Sequence, residues 1–194
     1  LKSLLKGDKT LLPKYDFKKG KQIPGPMVRL DPDQIIIVEG LHCLNDHLTP
    51  NIPKQNKLKI YVSDLTQLNI TNHLRISTSD VRLLRRLIRG YRFRAHSASY
   101  TLEHWPLVRQ GEEKFIFPFQ EESDMIFNSS LMYELSVLRS FAKHLLGQIT
   151  EEDPTYSEAQ RLLDLILHFL PISPKEVPTN SILREFIGGS SFHY

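Results

Sequence analysis

The stretch DVRLLRRLIRGYRFR, residues 80–94, holds six arginines but only one acidic residue, Asp80. A guanidinium group stays charged and binds phosphate oxygens through paired hydrogen bonds. A solvated helix face usually mixes glutamate with lysine, because opposite charges four residues apart are weakly stabilising and like charges are not. The stretch therefore favours an anion site, for nucleotide phosphates or for a nucleic-acid backbone. An ordinary solvated face is the alternative.

Glu39 is a second residue whose position suggests chemistry. It follows the apolar run IIIV, residues 35–38, and precedes Gly40. Such a run is typical of a buried strand in a parallel sheet, and ligands of open α/β sheets bind beyond the carboxyl ends of the strands. A carboxylate there can hold Mg²⁺ directly or through water. The alternative is an acid at a strand end that only faces solvent.

Tyr15 and Phe17 flank Asp16 in the segment PKYDF. Side chains alternate along an extended segment, so the two rings share one side and Asp16 lies on the other. Two aromatic rings on one side can enclose a flat base. Ordinary packing in a core is the alternative, and the pattern alone favours it.

An α/β framework is expected to position these residues. Strands are predicted at residues 35–38, 57–63 and 124–128, a loop at 18–27, and helices from residue 80, over 131–148 and 155–169, and near 181–186. Strands that alternate with helices predict a layered α/β fold. We expect residues 1–130 to form the α/β domain and residues 131–194 to form a helical extension packed on it.

The arginine stretch itself divides into two faces on a helical wheel. The apolar face holds Leu83, Leu84, Leu87 and Ile88. The opposite face holds Arg82, Arg85, Arg86 and Arg89. We therefore expect one face to dock on the core and the other to present arginines without partners.

Composition excludes several classes of protein. The chain has 194 residues, of which 40% are hydrophobic and 24% charged, and this is ordinary for a globular protein. The net charge of +3 argues against a general binder of nucleic acid. Cys43 is the single cysteine, which fits a reducing, cytoplasmic location. No apolar run approaches the length of a membrane span.

Three stretches, taken in order, resemble the uridine kinase group of the phosphoribulokinase/uridine kinase superfamily. They are YDF at 15–17, IIIVEG at 35–40 and DVRLLRRLIR at 80–89, and the resemblance covers about residues 10–130. Longer motifs, among them KIYVSDLTQLNI, GEEKFIFPFQEESDMIFNSS and SILREFIGGSSF, resemble a bacterial nucleoside kinase subgroup. In that subgroup the kinase follows a region similar to the editing parts of threonyl-tRNA synthetase.

The resemblance implies a partial P-loop kinase: a parallel sheet with flanking helices and an arginine-rich lid helix, followed by the helical extension. It implies transfer of the γ-phosphate of ATP to the 5′-hydroxyl of a pyrimidine nucleoside, uridine or cytidine. ATP and Mg²⁺ are the implied cofactors. Glu39 matches the magnesium-associated acid of the family.

The resemblance also implies roles for five further residues. Tyr15 and Phe17 match aromatic residues that hold the nucleoside. Arg86 matches a substrate-contacting arginine. Arg89 and Arg94 match catalytic lid arginines that contact the phosphates of ATP.

Some parts of the family pattern differ or are absent. Gly90 stands where an aspartate is usual, and RAH at 94–96 replaces Arg-Gly-Arg. The sequence contains no G-x-x-x-x-G-K-[ST] phosphate loop, and the general-base aspartate of the family is not found. The first methionine is Met27. We therefore expect the chain to be the C-terminal part of a longer kinase, inactive alone, whose exposed sheet edge is buried by homo-oligomerisation, strand exchange or an upstream fragment.

Two other functions remain open. The chain could be a binding or regulatory module that has lost catalysis and that contacts RNA through the arginine face. It could also be a related kinase of the superfamily that acts on another small molecule. An upstream sequence with an intact phosphate loop would favour a kinase, and a degenerate loop would favour the module.

Overall fold

A computed structural model describes residues 1–16, 20–70 and 75–192 of the chain. The chain divides into two compact units, Leu1–Lys59 and Ile60–Tyr194. Among the described residues, no helix combines the length and the apolar character that a membrane span needs.

The first unit is built around a β-hairpin. A short helix α1, Lys2–Leu5, precedes strands β1, Thr10–Asp16, and β2, Lys21–Val28. The strands pair antiparallel, with Pro13 opposite Pro24. Proline cannot donate to the strand ladder, so it is tolerated in a two-stranded sheet where each strand keeps a free edge. The loop predicted at 18–27 is therefore wrong for residues 21–27, which belong to β2.

The apolar run at residues 35–38 is not a strand in the structure. Ile35 is 88% exposed and Ile37 is 90% exposed. A buried strand needs hydrogen-bonded neighbours and covered faces, and the described residues of the first unit supply neither to this run. The predicted buried strand is thus a wrong prediction for this structure, and Glu39 does not follow a strand.

The second unit contains the small parallel sheet that the sequence predicted. Strand β3, Ile60–Ser63, pairs with β4, Met125–Asn128, so that Ile60 lies opposite Met125. Both strands fall inside the predicted ranges. The side chain of Asn128 bonds the backbone of Leu65, accepting from its N–H at 3.0 Å and donating to its C=O at 3.2 Å. These bonds fix the chain that leaves the carboxyl end of β3.

The described residues of the second unit also form five α-helices. They are α2, Thr78–Arg94; α3, Ala98–Phe115; α4, Glu134–Leu146; α5, Tyr156–Leu167; and α6, Arg184–Ile187. The helices predicted at 131–148 and 155–169 are confirmed as α4 and α5. The mixed α/β class is confirmed by this sheet and these helices.

One core joins these helices. Fully buried side chains of α2, α4 and α5 meet in it, for example Leu84, Leu138 and Leu162, and Leu183 joins them just before α6. Residue 130, where the sequence predicted a domain boundary, lies inside the second unit. The boundary itself stays a prediction.

Candidate functional site

Helix α2 positions all six arginines of the cluster. It begins after Ser77, whose hydroxyl accepts a hydrogen bond from the Ser79 N–H at 3.1 Å, and Asp80 in the first turn complements the helix dipole. Its apolar face is buried as predicted, through Val81, Leu83, Leu84, Leu87 and Ile88. The direction of the arginine side chains follows from this docking.

Arg85 lies in the interior, and not on a solvated face. It binds both carboxylate oxygens of Glu134, with Nη2 2.6 Å from Oε2. It also donates to the Ser129 C=O at 3.2 Å, and its Nε lies 3.7 Å from Asp64 Oδ2. The expectation that Arg85 has no partner is therefore wrong. Its partner Glu134 lies on α4, 49 residues later in the sequence. A helical wheel shows only one helix, so it cannot predict this contact.

Burial sets the electrostatics of this cluster. Burial raises the pKa of Glu134, and the charge of Asp64 raises it further, while the hydrogen bond and charge of Arg85 oppose the rise. Burial alone would lower the pKa of Arg85, yet its hydrogen bond with Glu134 and the nearby carboxylates hold that pKa above its ordinary value. One guanidinium thus balances two carboxylates. Among the described residues, Asp64 Oδ2 has no hydrogen-bond partner.

Other arginines of α2 also have partners. Arg82 pairs with the buried Glu112 of α3. Arg89 Nη2 lies 2.7 Å from Glu185 Oε1 of α6. The Arg92 guanidinium lies 5.4 Å from the centre of the Phe141 ring. The expectation of arginines without partners is thus wrong for Arg82 and Arg89 too. Their carboxylate partners lie on other helices, at positions that are remote in the sequence.

Arg86, Arg89 and Arg94 form a positive cluster towards the end of α2. Burial lowers the pKa of Arg94, and the charges of Arg89 and Arg86 lower it further. The Arg94 guanidinium is therefore close enough to those of Arg89 and Arg86 to be repelled by both. Within the described parts of the chain, Arg86 makes no hydrogen bond or ion pair. A half-buried surface on which three arginines lie near one another is suited to an anion.

The end of α2 explains two unusual residues of the sequence. Ala95 adopts a left-handed conformation, with φ 56° and ψ 31°, and the N–H of the next residue, His96, donates to the Gly90 C=O at 3.1 Å. Gly90 is buried, and a Cβ atom there would lie 3.4 Å from Thr101 Oγ1 of α3. A Cβ atom at position 90 would therefore be in van der Waals contact with α3.

The residues predicted to hold a base lie in the first unit. Tyr15 is on β1, opposite Gln22, and it is 52% exposed. It is therefore not a core residue, which was the alternative. Phe17 lies outside the described residues. The enclosure of a base between the two rings stays a prediction.

Glu39 is exposed in the first unit. Burial raises the pKa of the Cys43 thiol, and the negative charge of Glu39 adds to the rise. No group of three or more histidine, cysteine, aspartate or glutamate residues in the described ranges could hold a metal ion. Magnesium needs only one or two carboxylates when waters and phosphate oxygens complete its octahedron, so a single carboxylate at Glu39 is compatible with it.

The sequence interpretation missed the acidic partners of α2. Glu112, Glu134 and Glu185 each bind one arginine of the helix. One of these partners could have been found from the sequence, because Glu134 lies on the same side of its helix as Leu135 and Leu138. An acid within an apolar stripe indicates a buried charge that needs a partner.

The comparison with family models gives one match. The model of the Phosphoribulokinase / Uridine kinase family matches residues 1–136. The matched range contains Tyr15, Glu39 and the whole of α2, and it ends inside α4. No solved structure matches the chain significantly.

Curated relatives agree with this match at low identity. A uridine kinase of Brevibacillus brevis is 29% identical over 127 residues, which are 65% of this chain and 51% of that protein. Uridine kinase-like protein 3 of Arabidopsis thaliana is 28% identical over 127 residues, 24% of its length. A uridine kinase of Streptococcus pyogenes serotype M5 is 25% identical over 152 residues, 77% of this chain and 65% of that protein. The matched part spans about half the length of the Brevibacillus kinase. The family match covers more than half of the chain, which therefore belongs to the phosphoribulokinase / uridine kinase family.

Proposed function

We propose that the chain is part of an ATP-dependent nucleoside kinase that transfers the γ-phosphate of ATP to the 5′-hydroxyl of a pyrimidine nucleoside. One observation carries the proposal: the positive cluster of Arg86, Arg89 and Arg94 on α2, within the residues that match the family. Phosphoryl transfer depends mainly on positioning and on neutralising charge on the phosphates. An arginine cluster on one helix can supply both.

The arginines have distinct roles in this proposal. Arg89 and Arg94 contact the phosphates of ATP and neutralise the charge that develops during transfer. Arg86 contacts the nucleoside substrate or the transferred group, and its guanidinium is available because it makes no ion pair among the described residues. Arg85 does not take part, since Glu134 and Asp64 hold it in the interior.

Tyr15 and Phe17 hold the nucleoside base in this proposal. The position of Tyr15 supports this role, because about half of the side chain is exposed on the two-stranded hairpin, where a base could stack on it. An aromatic ring stacks on any base, so this contact provides affinity without distinguishing uridine from cytidine.

Magnesium is the implied metal. Glu39 would hold it, directly or through water, and the ion would supply charge neutralisation on the phosphates of ATP. The exposed carboxylate of Glu39 is compatible with this role.

The test is Arg89→Ala in the kinase that carries the phosphate loop. Loss of one charge-assisted phosphate contact is expected to cost about 1.5–3 kcal/mol, read from kcat/KM for ATP. The KM for the nucleoside should change much less. Arg29→Ala, which removes an exposed arginine of the first unit, is the control for net charge. An unchanged kcat/KM for ATP in Arg89→Ala would refute the assignment.

A further inference from the structure

The C-terminal segment, residues 181–189, lies against the polar side of α2. Leu183, Phe186 and Ile187 of this segment are buried in the core of the second unit. Arg184 holds the surrounding loop in place, because it donates to the C=O groups of Pro174, at 2.9 Å, and of Val177. The segment is thus a fixed part of the second unit, and the position of its single acidic residue is defined.

That acidic residue, Glu185, faces the arginines of α2. Its carboxylate pairs directly with Arg89 at 2.7 Å, and its negative charge also reaches Arg85 and Arg94. Beside it, the Arg85 guanidinium lies 5.2 Å from the centre of the Phe186 ring. Glu185 is therefore a counter-ion for the surface to which the proposed function assigns phosphate.

The Glu185–Arg89 pair is a contact that can be exchanged. The side chains of Arg89 and Glu185 are 39% and 28% exposed, and ion pairs that reach solvent contribute little net stability. A carboxylate and a phosphate present similar oxygen acceptors to a guanidinium. A polyphosphate carries several charges and can replace the single carboxylate. The pair would then reform when the phosphate leaves.

We propose that Glu185 is an intramolecular competitor, which occupies Arg89 in the resting protein and must be displaced before phosphate binds there. This inference rests on the proposed function of Arg89. Glu185 lies beyond residues 1–136, the range of the family match. The competitor thus belongs to a segment outside the residues that match the family model. The opposite role, in which Glu185 positions Arg89 for phosphate, predicts an effect of the opposite sign.

In the experiment, inorganic tripolyphosphate is titrated into the whole chain at low ionic strength. Isothermal titration calorimetry gives its dissociation constant. Glu185→Gln keeps the shape of the side chain and removes its charge. The dissociation constant is expected to fall about two- to five-fold, the range that loss of a partly exposed ion pair allows. Glu176→Gln is the matched control, because it makes the same change of charge on the exposed surface of the same C-terminal region.

A second pair of variants tests whether Glu185 acts through Arg89. Arg89→Ala alone should weaken tripolyphosphate binding. In the Arg89→Ala background, most of the gain from Glu185→Gln should disappear, because residues that act through one contact are not additive.

Four results are distinguishable. Tighter binding by Glu185→Gln, but not by Glu176→Gln, supports the inference. Weaker binding by Glu185→Gln overturns it in favour of a positioning role. Unchanged binding by Glu185→Gln, with weaker binding by Arg89→Ala, overturns it and leaves the proposed function standing. If neither variant changes binding, Arg89 does not contact phosphate, and both proposals fail.

Discussion

Tyr15 and Ala95 each have an unfavourable feature, which is solvent exposure for Tyr15 and backbone conformation for Ala95. Tyr15 exposes an aromatic ring on a hairpin, although burial of a ring is favourable. Ala95 adopts a left-handed conformation that costs an L residue roughly 1–2 kcal/mol. Each feature is unfavourable by itself, so its effect can be measured with a single substitution.

Tyr15→Ala is expected to raise the KM for the nucleoside and to leave the KM for ATP nearly unchanged. Loss of a stacked ring costs about 1–3 kcal/mol, measured by steady-state kinetics in the kinase that we propose. Leu11→Ala is the control, because Leu11 lies on the same strand and is equally exposed, at 52%. An equal effect of both substitutions would show that the hairpin, and not the ring, matters.

Ala95→Gly is expected to stabilise the protein by about 0.5–1 kcal/mol, since glycine adopts positive φ without strain but loses more entropy on folding. The free energy of unfolding in urea measures it. Ala142→Gly, the same substitution inside α4, should instead destabilise, because helix interiors disfavour glycine. A destabilised Ala95→Gly would show that the Ala95 methyl makes a contact more favourable than its strain.

Whole helices are joined in this protein by buried or half-buried ion pairs, with α2 at the centre. Arg85 connects α2 to α4, Arg82 connects it to α3, and Arg89 connects it to α6. A buried pair rarely adds much net stability, but the loss of one partner leaves an uncompensated charge in the interior. We can therefore predict which substitution in such a pair lowers the free energy of unfolding more.

Arg85→Met is expected to destabilise the protein by about 3–5 kcal/mol, because it leaves the carboxylates of Glu134 and Asp64 buried without a counter-ion. Glu134→Gln should cost less, since Asp64 still faces Arg85. Urea denaturation of the two variants gives the comparison. An equal or reversed order would mean that Asp64 does not share the charge of Arg85.

The sign of the pH dependence at Glu134 follows from its raised pKa. A carboxyl group whose folded pKa lies above its unfolded value binds its proton more tightly in the folded state. Its contribution to stability is therefore largest below its unfolded pKa, and it declines as the pH rises through the folded pKa.

The sequence predicted the elements of this fold better than the contacts between them. Local periodicity was enough to predict α2, α4 and both strands of the parallel sheet, because each pattern is contained in one element. It was not enough for the arginines, whose partners at positions 112, 134 and 185 depend on tertiary packing. The run at residues 35–38 failed for the same reason, since its burial depends on neighbours and not on its own composition.

Within the second unit, the described residues leave the parallel sheet uncovered. Apolar side chains of both strands are exposed: Ile60, Val62, Met125, Ile126 and Phe127. Parallel sheets are normally covered on both faces, and patches of this kind mark surfaces that associate. This exposed surface is the reason why the chain alone is expected to be inactive and to self-associate.

The 194-residue chain is expected to self-associate with rising concentration and to bind Mg-ATP more weakly than about micromolar affinity. Sedimentation velocity and calorimetry measure the two properties. Phe127→Lys should reduce association, while Leu170→Lys, at an exposed position outside the sheet, should not. A monodisperse monomer that binds Mg-ATP at micromolar affinity would contradict both expectations.

The order in which α2 meets its partners has a consequence for synthesis on the ribosome. The carboxylates that neutralise it stand at positions 112, 134 and 185, so a nascent chain presents the arginines long before the last of these residues is made. Domains generally fold as units during synthesis, and this unit is complete only when its C-terminal segment has left the exit tunnel. Until then, a growing chain exposes a cationic helix beside the polyanionic surface of ribosomal RNA.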